Sequence, residues 1–80
     1  MVESVRISFN DASRDGSLQD VVVYNPGVLS SPLFSQVLRF GLKNPRNRET
    51  VLSGRLKGTR ENFLTMVQSY GVTVEIVHAP

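Results

Sequence analysis

The chain has no cysteine. That excludes a disulfide scaffold, a thiolate metal site and a cysteine nucleophile. It is compatible with a reduced intracellular setting, and the cytoplasm is the expected compartment. There is a single histidine, His78, on the last predicted strand. One imidazole cannot make a zinc site without other strong ligands nearby. The serines have no partner base, so a serine triad is not supported. No spacing of Asp and Glu proposes the paired carboxylates of acid–base catalysis. Enzymatic activity, a metal and a cofactor are therefore not expected. The longest purely apolar run is Val21 to Tyr24, far short of the roughly 20 residues of a membrane span. Acidic Glu3 and the lack of a long apolar stretch near the start give no sign of a signal peptide.

Eighty residues make one small domain, expected to bury about 60% of its unfolded surface. The clearest pattern lies from Glu49 to His78, which reads as strand, turn, helix, turn, strand. In Glu49 to Lys57, Leu52, Gly54 and Leu56 share one face and Ser53, Arg55 and Lys57 the other. Gly58 and Thr59 turn the chain, with Thr59 as N-cap and Glu61 in the first turn, where the helix dipole favours an acid. Phe63, Leu64, Met66, Val67 and Tyr70 form an apolar stripe. Gly71 suits the left-handed position that ends a helix. Val72 to His78 is the final strand, with Val72, Val74 and Ile76 inward. The two strands of this unit should run parallel, either adjacent or separated by another strand.

Upstream, Val5, Ile7 and Phe9 alternate with Ser4, Arg6 and Ser8, which predicts a half-buried strand over 2–9. Asp15-Gly16 signals a turn. Leu18 to Tyr24 is a second strand, paired with the first in a hairpin, and its valine run predicts a central position. Asn25-Pro26-Gly27 predicts a type II turn. Residues 28–43 allow two readings. Ser31 before Pro32 starts a helix, and Leu33, Phe34, Val37, Leu38 and Gly41 keep helical spacing. Yet 38–43 also alternates like a strand, and Asn44-Pro45-Arg46-Asn47 would then turn it into the strand at 49–57. The helix is favoured because the cap and the period agree. The order is then β-β-α-β-α-β. The fold expected is α+β: a two-layer sandwich with a small mixed sheet of four to five strands and one or two helices on one face.

The net charge of +2 hides a segregation. Residues 39–60 hold Arg39, Lys43, Arg46, Arg48, Arg55, Lys57 and Arg60 against Glu49, a charge of +6, while 1–38 and 61–80 carry −2 each. Such asymmetry favours an anionic partner if the cations converge in space. These seven residues are the candidate partner- or nucleic-acid-binding set. A merely solvated basic surface is the alternative. Sequence-reading RNA modules display stacking aromatics on a sheet, and the RNP1 pattern is absent.

Two further motifs are weaker. Asp11 to Gly16 resembles the start of a calcium loop, but Val22 stands where a bidentate carboxylate is needed, and Arg14 lies inside. A solvated hairpin loop is the better reading. Lys57-Gly58-Thr59-Arg60 places cations and free N–H groups where a strand feeds a helix. It lacks the P-loop lysine, and Glu61 would repel phosphate, so ordinary capping is favoured. The segment Thr59 to Pro80, a helix left through Gly71 into a short apolar strand, resembles the end of the small basic phycobilisome linker domains. Val72 stands where those domains have a second glycine. The resemblance implies a basic protein that docks on acidic ones.

The function expected is a non-enzymatic binding or assembly module acting through protein–protein contacts, with an acidic protein or a second copy as partner. Val51 and Val77 on outward strand faces, and the edge strand at 72–78, favour it. The alternative is a protein that binds RNA or DNA through the basic 39–60 segment. Neither a membrane nor a small-molecule substrate is suggested.

Overall fold

A computed structural model describes residues 4–44 and 51–77. Arg46, Arg48, Glu49 and His78 lie outside them. The order is β1 (Ser4–Asp11), β2 (Gln19–Val23), a 3₁₀ turn (Pro26–Val28), α1 (Ser31–Arg39), β3 (Leu52–Arg55), α2 (Arg60–Gln68) and β4 (Thr73–Ile76). The four strands form one mixed sheet in the order β3-β2-β1-β4. β1 and β2 pair antiparallel, as do β2 and β3, while β1 and β4 run parallel. The α+β class and the β-β-α-β-α-β order are those expected. Among the described residues, no helix is long and apolar enough to cross a membrane.

Alternation along the strands builds the core. Val5 and Ile7 of β1, Val21 and Val23 of β2, and Leu52 of β3 join Leu33 and Val37 of α1 and Phe63 and Val67 of α2 in one buried cluster. Each helix thus buries an i, i+4 pair against the same sheet face. Phe63 is the hub. It packs edge-on against Phe9 at 6.2 Å and Phe40 at 5.5 Å between ring centroids. On the opposite sheet face, Ser8 is fully buried on a central strand, opposite Val22 in register, and its hydroxyl has no hydrogen-bond partner among the described residues.

Several local expectations are corrected. The first helix is capped one residue earlier, where the Ser30 hydroxyl accepts the Leu33 N–H at 3.4 Å, so Pro32 is the second helical residue. Pro tolerates either place because neither N–H has an intrahelical acceptor. The Asn25-Pro26-Gly27 stretch forms the 3₁₀ turn and not a type II turn, since Gly27 is not among the positive-φ glycines that such a turn requires. β3 and β4 are parallel, but both β2 and β1 lie between them, so the β3–α2–β4 unit spans the whole sheet. The crossing is wide because the β1–β2 hairpin occupies the centre. Both edge strands are shorter than expected.

The two readings of 28–43 each hold for part of the segment. The helix runs to Arg39, and the chain then lies along the outer side of β3. Lys57 N–H donates to Phe40 O at 2.8 Å, and Lys43 and Ser53 exchange N–H···O bonds of 2.9 and 2.8 Å. Two glycines allow this approach. A Cβ on Gly41, whose φ is +104°, would meet Arg55 O at 2.5 Å, and one on Gly54 would meet Gly41 O at 2.5 Å. The predicted turn at Asn44 to Asn47 lies largely outside the described residues.

Candidate interaction surface

Among the described residues, the five basic residues of the set do not form one free patch. Arg55, on β3, faces Asp20 across the β2–β3 ladder, and their side chains form a 3.2 Å ion pair. Arg60, the first residue of α2, turns inward over the hairpin. Its Nη2 donates to Gln19 Oε1 at 2.6 Å and lies 3.9 Å from Asp11 Oδ1. Its guanidinium also stacks 4.7 Å above the Phe9 ring. A cation at a helix N-terminus opposes the dipole. Here Gln19, Asp11 and the ring face offset that cost. Arg39, Lys43 and Lys57 are exposed, and none makes an ion pair among the described residues. The backbone bonds between the 40–43 segment and β3 bring them to one edge of the sheet. Arg46 and Arg48 lie outside the described residues.

Sequence reasoning missed the role of Gln19. Alternation through Gln19, Val21 and Val23 places its amide on the core side, and a buried amide needs partners. Its Nε2 donates to Asp11 Oδ1 and to Gly16 O, the latter at 3.2 Å, while its Oε1 takes the Arg60 bond. This ties the hairpin loop to the start of α2.

That junction encloses a cleft of about 340 Å³ lined by Gly16, Ser17, Gln19, Gly58, Thr59 and Arg60. The Lys57–Arg60 turn proves to be a cap, with Thr59 Oγ1 accepting the Asn62 N–H at 3.0 Å. The Asp11–Gly16 stretch belongs to a hairpin loop closed on itself. The Ser13 hydroxyl and the Ser17 N–H donate to Asp15 Oδ1 at 2.8 and 3.0 Å. Ser17, through hydroxyl and amide, and then Ser13 hold the Asp15 carboxyl down at about 2.

The other edge of the sheet is different in kind. Leu52, Val23, Ile7 and Ile76 are register neighbours in one row across the inward face. The first three are 0–1% exposed, but Ile76 is 48% exposed. The expectation that Ile76 packs inward is thus only half met: it points to the core side, but the core ends before reaching it. Val74 is half-buried beside it, and Tyr70, in the turn after α2, is 42% exposed.

No protein-family model, curated protein or solved structure matches the chain.

Proposed function

We propose that this protein is a non-enzymatic assembly module that docks on another protein through the β4 edge. The inward row that is sealed at Leu52, Val23 and Ile7 and open at Ile76 carries this reading. An exposed apolar residue on an edge strand whose outward backbone groups have no partner among the described residues invites strand addition. β3, at the other edge, is already overlaid by the 40–43 segment. The internal engagement of Arg55 and Arg60 also lowers the number of cations available for a phosphate backbone.

The test is capture from a lysate of the source cell with immobilised wild type and with Ile76→Lys, followed by cross-linking. The expected result is a protein retained by wild type, lost with Ile76→Lys, and indifferent to nuclease. Equal retention by both baits, or retention abolished by nuclease, contradicts the reading.

A second reading rests on the convergence of Arg39, Lys43 and Lys57 at the β3 edge. Three exposed cations there suit RNA or DNA phosphates, with Arg46 and Arg48 adding charge from the adjoining segment.

A further inference from the structure

We infer that the partner at the β4 edge is a second copy of this chain, paired antiparallel through β4 about a two-fold axis at Val74. This rests on the reading of β4 as the docking strand and names what docks. Val77 donates its N–H to Ile7 O at 2.9 Å, and Thr73 to Ile76 pair with Ser4 to Ile7 in parallel register. Alternate residues of a parallel strand turn both backbone groups to the same neighbour. Thr73, Glu75 and Val77 therefore face β1. The N–H and C=O of Val74 and Ile76 point outward, where no strand lies among the described residues.

The strand is complementary to itself in one register. With the axis at Val74, that residue faces its own copy, and Val72 faces the partner's Ile76. These apolar side chains share the face that continues the core, and Ile76 loses its exposure. On the other face Thr73 meets the partner's Glu75. Moving the axis to Glu75 sets two carboxylates directly opposite, which is destabilising. Moving it to Ile76 sets Glu75 against the partner's Val77. Leu18 and Leu38, 40% and 41% exposed, lie outside β4 and form no such row. The product is one continuous eight-stranded sheet with an isologous interface. A contact of this size belongs to the weak, concentration-dependent class.

Sedimentation equilibrium over a wide concentration range, at low and moderate salt, tests it. Wild type should form a dimer, and Ile76→Lys should lose it while keeping the wild-type circular dichroism spectrum. Thr73→Lys should tighten the dimer at low salt, since each cation then faces the partner's Glu75. The chain has no cysteine, so single-cysteine variants read the register. The Val74 pair has Cα atoms about 5.5 Å apart, within disulfide reach. Val74→Cys should therefore cross-link into dimers under mild oxidation faster than Glu75→Cys. A strict monomer at high concentration overturns the proposal, as does a dimer in which Val74→Cys links no faster than Glu75→Cys. A monomer that still captures another protein in an Ile76-dependent way overturns the second copy alone. A monomer without such capture overturns the docking strand as well.

Discussion

At the scale of the residue, the basic segment divides by what each guanidinium or ammonium already touches. Arg60 is a structural cation. It satisfies a buried glutamine oxygen and covers an aromatic ring, two contacts worth about 1–2 kcal/mol together when one end is exposed. Arg39 has no ion-pair partner among the described residues. Arg60→Ala should therefore lower the urea midpoint by an amount equivalent to about 1–2 kcal/mol, and Arg39→Ala should stay within about 0.5 kcal/mol of wild type. Equal midpoints for the two variants would contradict this division. Charge counting along the chain finds all seven cations but cannot rank them. What separates Arg55 and Arg60 from Arg39, Lys43 and Lys57 among the described residues is pairing with Asp20, Asp11 and Gln19, which are remote in sequence. Only the strand register brings them together.

At the scale of the element, the β1–β2 connection shows how a polar loop is held by its own side chains. Ser13, Asp15 and Ser17 bond to one another, and Leu18 N–H donates to the Ser13 hydroxyl at 3.1 Å. The Asp15 carboxyl sits at about 2, below its ordinary 3.8. A folded-state value below the unfolded one stabilises at pH above the unfolded value and is lost as pH falls through the folded one. The difference in thermal midpoint between wild type and Asp15→Asn should be constant above about pH 4 and shrink towards pH 2. A difference that holds unchanged down to pH 2 would show that the carboxylate charge is not what closes the loop.

Element boundaries were readable where a local rule decides them. Thr59 caps α2 as expected, a choice set within one helical turn. Gly71 has the expected positive φ, but the helix ends at Gln68 with Ser69 as its C-cap, so Gly71 lies two residues beyond the cap and Tyr70 lies outside the helix. The 40–43 segment was ambiguous because it is neither continued helix nor full strand. Its course depends on Gly41 meeting Gly54, a contact across 13 positions of the chain that no period reveals. The Pro26-Gly27 turn failed for a related reason. The dipeptide permits a type II turn, but the 3₁₀ turn leaves Val28 and Leu29 packed against the core.

At the scale of the whole molecule, the apolar faces of the strands and the i, i+4 pairs of the helices foretold the fold class, because hydrophobic alternation is imposed by burial itself. The strand order was less legible. Val72, Val74 and Ile76 read as an inward face, yet nothing in their spacing says that β4 would lie at the far edge, beyond the reach of the core. That placement turns a core-type residue into a surface one, and it is the basis for reading β4 as the docking strand.

The most direct measurement is an amide-shift titration of the labelled protein, first against its own rising concentration and then against a short single-stranded RNA and a short DNA duplex at two salt concentrations. The account predicts shifts confined to Val72 through Val77 and their β1 neighbours as concentration rises, with little response to either nucleic acid at moderate salt. Shifts gathered at Arg39, Lys43 and Lys57 on adding RNA or DNA, fading with salt while β4 stays silent at every concentration, would contradict it and move the working surface to the opposite edge of the sheet.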